Sequence, residues 1–144
     1  MDKRFILAAL AGMLTIAVVG GLLYGVVFSS FFKANILDLS VMRNPPGFAW
    51  IALSHVPFGV LLVLAVSWRG ELSMRGGAVT GGLLGFLMAA SYDLSQFGTL
   101  RHWTLQLTVV EPFIAMTMVA TAGAVVGAIL RKSKATVAVL DGPA

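Results

Sequence analysis

Tyrosine aside, two ionisable side chains fall well inside long apolar stretches of this 144-residue chain: His55 and Glu111. Placing a charge in hydrocarbon is costly, so such a group is a candidate for handling a proton, a cation or a polar ligand. His55 comes about seven residues after Phe48 and Glu111 about seven after Thr104, so at ~1.5 Å per helical residue both lie roughly 10 Å below one boundary. Tyr24, about eight residues before the end of its own stretch, reaches a similar depth. Pro57 and Pro112 lie at that level too. Proline lacks an N–H, so they release the carbonyls of Leu53 and Thr108 and kink their helices. A released carbonyl in hydrocarbon needs water, a side chain or an ion. With Ser54 and Thr108 these groups form a polar layer, which Asp93 can close from above.

Each residue also has a plainer role. Glu111 can be a protonated acid that bonds to Tyr24 or His55 and only holds helices together. His55 can be a neutral imidazole satisfied by a freed carbonyl. Asp93 and Gln96 have the spacing of a capping box, which suits a helix cap in the connection after the third stretch.

Other chemistries lack their residues. No lysine lies within an apolar stretch, which excludes a retinal-type Schiff base. His-Glu-x-x-His, Gly-x-Ser-x-Gly, phosphate-loop and dinucleotide patterns are missing. One histidine and one carboxylate make at most half a zinc site, and bis-histidine haem would need His102, which falls at the membrane boundary. No metal or other cofactor is expected. A lipid-hydrolysing enzyme would need a nucleophile beside His55, where Ser54 is the one near candidate. The chain reads as non-enzymatic.

The elements that position these residues follow from composition. Hydrophobic residues make up 58% of the chain and charged ones 11%, with no cysteine; a soluble domain carries roughly 25% charged residues. The expected fold is all-α, a four-helix transmembrane bundle in a single domain over 1–134, with spans at about 5–32, 48–68, 76–92 and 104–130. A flexible tail is expected over 135–144. The first span is longer than the ~7–15 apolar residues of a signal peptide, so it is read as retained.

Lys3, Arg4, Arg69, Arg75, Arg131, Lys132 and Lys134 fall on one side, and Lys33, Arg43 and Arg101 on the other. The positive-inside rule then predicts cytoplasmic N- and C-termini. The net charge of +4 serves orientation and contact with anionic membrane lipid, and no nucleic-acid motif accompanies it. Trp50, Trp68 and Trp103 fall at span ends, as interfacial anchors do.

Gly20-Gly21-Leu22-Leu23 recurs as Gly81-Gly82-Leu83-Leu84, and Pro57-Phe58 as Pro112-Phe113, the pattern of a tandem pair of helical hairpins or of shared composition. Small residues at every fourth position, including Gly21, Gly25, Gly81, Gly85, Gly123 and Gly127, permit close helix packing. They serve either the bundle itself or a homo-oligomer.

Leu23-Tyr24-Gly25, Phe31-Phe32-Lys33-Ala34-Asn35, Gly85-Phe86-Leu87-Met88-Ala89, Tyr92-Asp93-Leu94 and Val110-Glu111 carry a resemblance over about residues 5–130. The chain resembles a family of small four-span bacterial membrane proteins classed as a domain of unknown function. The resemblance implies a bacterial inner-membrane location and four helices, and no activity. In that family the Glu111 position usually holds aspartate and the His55 position asparagine, which keeps the acid and argues against a histidine-based mechanism. The expected function is binding or conducting a proton, cation or small molecule through the polar layer. The rival is a non-transporting scaffold or accessory subunit assembled through small-residue faces.

Overall fold

The computed structural model describes residues 3–140, with side chains for 3–40 and 42–131. In chain order it contains α1 (Lys3–Leu22), a π-helical turn (Leu23–Val27), α2 (Ser29–Asn35), a 3-10 turn (Leu39–Val41), α3 (Phe48–Arg69), α4 (Met74–Thr99) and α5 (Leu105–Leu140). The fold is all-helical, and four segments are long and apolar enough to cross a membrane: Lys3–Val27, Phe48–Arg69, Met74–Thr99 and Leu105–Arg131.

Local chemistry sets several of these limits. Gly70 takes a left-handed φ of 77° after α3, and the Ser73 hydroxyl accepts the Gly76 N–H at 2.9 Å to start α4. Asn44-Pro45-Pro46-Gly47 ends immediately before α3. Three expected limits change. The first span stops at Val27 rather than near Phe32, because Phe28 leaves helical geometry with φ −104° and ψ 10° after its N–H closes the π-helical turn on the Leu23 carbonyl at 2.8 Å. The third span runs on to Thr99 instead of ending at Tyr92. Its last turns keep a two-sided pattern, with Asp93 1% exposed and Leu94 63% exposed, so they pack as helix. Asp93 is therefore mid-helix and caps nothing. The helix α5 extends through Leu140 across much of the expected tail, and residues 141–144 lie outside the described residues.

The tightest contact in the bundle joins α4 to α5. A Cβ added to Gly77 would overlap the Gly123 carbonyl, one on Gly81 the Val119 carbonyl, and one on Gly127 the Ser73 carbonyl. Backbones meet here with no side chain between them, which maximises dispersion contact where lipid supplies no hydrophobic drive. Helix α1 packs on α3 and α5 less closely: Gly12 faces Val126 and Leu62, and Gly59 faces the Ala9 carbonyl and Met13. Ala8, Ile16, Leu62, Val63, Val66 and Val126 form the core between them. On the opposite face of α1, Leu7, Leu10, Leu14, Val18 and Leu22 are exposed at helical spacing, as a lipid-facing stripe requires.

The small residues of α1 behave differently from those of α4. A Cβ on Gly21 or Gly25 would meet nothing within 4 Å, so neither is a packing glycine within this chain. Gly20 faces Met118, while its counterpart Gly81 lies against backbone. The two hairpins thus share sequence motifs but not packing.

The end of the bundle that carries the 36–47 segment, here the long-loop end, is held by polar ties. The Leu37 N–H donates to the His102 carbonyl at 3.0 Å. The Thr104 hydroxyl donates to Asn35 Oδ1 at 3.1 Å and accepts the Leu107 N–H at 3.1 Å, so it caps α5 while clasping α2.

Candidate functional site

The α4–α5 packing register determines which polar groups meet. Gly81 lies against Gly123 and Gly85 against Val119. Steps of four along antiparallel helices then bring Ala89 to Ala115 and Asp93 to Glu111. The acids occupy the end of the glycine seam, within about 10 Å of the long-loop ends of their helices by residue count.

Tyr24 completes the group from α1. Its hydroxyl donates to Glu111 Oε1 at 2.5 Å. Tyr24 belongs to the π-helical turn, and insertion of one residue into the helical ladder there changes the direction in which the tyrosine points. Such turns concentrate at functional sites. The Asp93 carboxyl lies beside that of Glu111. Asp93 Oδ2 and Glu111 Oε2 are both buried, and neither has a hydrogen-bond partner. A bond between the two carboxyls would require a proton on one of them. Among the described residues neither acid is paired with an arginine or lysine. Two bare carboxylates in this setting would face mutual repulsion and desolvation together, so a shared proton is what makes the pair tenable.

His55 does not join this cluster. It lies across an open-sided cavity of about 480 Å³ between α1 and α3, lined by Gly20, Gly21, Tyr24, Ile51 and Met118 among others. Its Nδ1 is buried and without a hydrogen-bond partner. Ser54 is exposed and donates to the Ile51 carbonyl at 2.7 Å. Thr108 is buried and donates to the Thr104 carbonyl at 2.9 Å, so the expected polar layer narrows to three side chains. Pro57 is exposed within α3, and Pro112, next to Glu111, is buried within α5.

A second cavity, of about 470 Å³, lies toward the long-loop end, with Tyr24, Gly25, Lys33, Arg43 and Asn44 in its wall. Tyr24 borders both cavities. Near the second one, Asp38 accepts from the Ser40 hydroxyl at 2.6 Å and its N–H at 2.9 Å, which holds its carboxyl below the usual aspartate range. Among the described residues no three metal-ligating side chains cluster. Trp50 and Trp68 are 70% and 77% exposed, in keeping with anchors, whereas Trp103 stacks edge-on with Tyr92 and His102.

A family described as a predicted membrane protein, DUF2177, matches residues 5–130. The chain belongs to this family. The matched region takes in all three members of the polar cluster and almost the whole of the four long helices. DUF2177 is a domain of unknown function, so membership establishes a membrane protein and assigns no activity. No curated protein and no solved structure matches the chain.

Sequence reasoning singled out Tyr24, Glu111 and Asp93 but treated Asp93 as a lid and His55 as a partner. The fourfold spacing Gly77, Gly81, Gly85, Ala89, Asp93 was the signal that set Asp93 on the seam, and it needed the packing register to be read. The Asn35–Thr104 clasp carried no comparable signal.

Proposed function

We propose that this DUF2177 protein handles protons, or a monovalent cation in place of one, at the Tyr24–Glu111–Asp93 cluster in the bacterial inner membrane. The observation that carries this reading is the pair of neighbouring carboxyls, each with a buried, unpartnered oxygen that only an added proton or cation can satisfy, and with a tyrosine hydroxyl on Glu111. A group kept inside a membrane without a basic partner is an expensive way to join helices, since interhelical hydrogen bonds average only about 0.6 kcal/mol. Tyr24 borders cavities on both its sides, which supports a path for exchange between the acids and the long-loop end. The distribution of basic residues supports cytoplasmic termini, with the cluster in the outer leaflet.

The test is proton and cation flux through purified protein in liposomes, comparing wild type with Glu111→Gln and Asp93→Asn. Flux that vanishes in both variants while folding persists supports the proposal. No flux in wild type under either gradient refutes it and leaves the scaffold reading.

A further inference from the structure

The two cavities that meet at Tyr24 differ in chemistry. The one between α1 and α3 is almost wholly apolar, and Gly21 leaves open space beside it, whereas Gly20 lies against Met118. The one toward the long-loop end carries Lys33 and Arg43 in its wall. Both basic side chains are exposed and have no ion-pair partner among the described residues, and Asp38, the nearby acid of the loop, is engaged with Ser40. Volumes of about 480 and 470 Å³ each fall within the ordinary range for ligand sites, roughly 300–1,000 Å³. An occupant matching this surface is apolar along one part and anionic at the other.

We propose that the α1–α3 cleft and the basic recess form one binding site for an anionic phospholipid, with an acyl chain beside Gly21 and the headgroup on Lys33 and Arg43. Helix α2 makes the geometry possible. Phe28, with φ −104° and ψ 10°, interrupts the helix, and Lys33 of α2 then lines the basic recess that shares Tyr24 with the cleft. The site is independent of the proton-handling proposal, because the Tyr24 hydroxyl is already committed to Glu111 and only the residue's position in the wall is used.

Trp50 is the reporter, since it lies beside Arg43 and Ile51. In a Trp68→Phe, Trp103→Phe background, its quenching is measured in bilayers of phosphatidylcholine with brominated phosphatidylglycerol or brominated phosphatidylcholine. Each basic side chain near an anionic headgroup contributes about fivefold, so preference for phosphatidylglycerol is expected between about fivefold and about thirtyfold. Lys33→Gln with Arg43→Gln should return the ratio to unity. Gly21→Phe, whose Cβ has open space around it and whose ring would occupy the cleft, should remove saturable quenching by both lipids. Glu111→Gln should change neither. A wild-type ratio near unity, or a preference that survives loss of both basic residues, overturns the proposal. So does displacement by millimolar inorganic phosphate, which would mark a simple anion site. Trp50 shielded from both lipids in a dimeric protein would assign the cleft to a second copy and overturn it as well.

Discussion

Removing the Tyr24 hydroxyl tests the cluster at its simplest point. Tyr24→Phe keeps the ring, whose centroid lies 5.1 Å from that of Phe32, and deletes only the donor to Glu111 Oε1. Two effects set the size of the loss. An interhelical hydrogen bond in a membrane is worth about 0.6 kcal/mol on average and up to about 1.7. The abandoned Glu111 oxygen then adds part of the ~1–3 kcal/mol penalty for an unsatisfied buried group. A cost of about 1–2 kcal/mol follows. The same change in a Glu111→Leu background has no partner to abandon and should cost close to zero, leaving a coupling of about 1–2 kcal/mol, or roughly five- to thirtyfold in the unfolding constant. Reversible unfolding in mixed dodecylmaltoside–dodecylsulfate micelles, followed by circular dichroism, gives all four corners of the cycle. Equal costs in the two backgrounds would refute the hydrogen bond as an energetic link, and with it the claim that Tyr24 belongs to the site.

Glu111→Gln should be nearly neutral for stability in the same assay, because the amide can accept from Tyr24 and donate to Asp93; a loss above about 2 kcal/mol would show that the acid itself is structural. Gly81→Ala drives a methyl group into the Val119 carbonyl and should cost about 1–3 kcal/mol, whereas Gly21→Ala, with open space around it, should stay within about 0.5 kcal/mol. Unfolding midpoints of the two variants check this contrast. Asn35→Ala should free α2 from the α5 cap and raise amide exchange at Leu107 without unfolding the bundle. Because Asp38 is held below the usual aspartate range, its Ser40 turn is stabilised at neutral pH and loosens as pH falls through the folded value; nuclear magnetic resonance shifts of Ser40 across an acid titration should follow that sign.

Much of the architecture was legible before any coordinates because a bilayer imposes one-dimensional rules. Length and apolarity determine spans, and no partner element has to be known to count them. The four helices, the non-polar faces of α1 and the depth of Tyr24, His55 and Glu111 all follow from such counting. Polarity misled where it was taken as a loop signal. Tyr92-Asp93-Leu94-Ser95-Gln96 looks like a connection but stays helical, since α5 places Glu111 beside Asp93.

The site depended on information the chain does not carry locally. Small residues at every fourth position occur in α1 and α4 alike, yet only those of α4 lie against another backbone. Which stripe packs and which faces a cleft depends on competition among helix faces, a property of the whole bundle. That choice brings Asp93 to Glu111 and leaves His55 across a cavity. The sequence by itself determined that this is a four-helix membrane protein, and residue count set Tyr24, His55 and Glu111 at one depth with a second acid, Asp93, above them. Only the tertiary structure decided that the two acids lie side by side, because depth follows from residue count whereas contact follows from rotation and register.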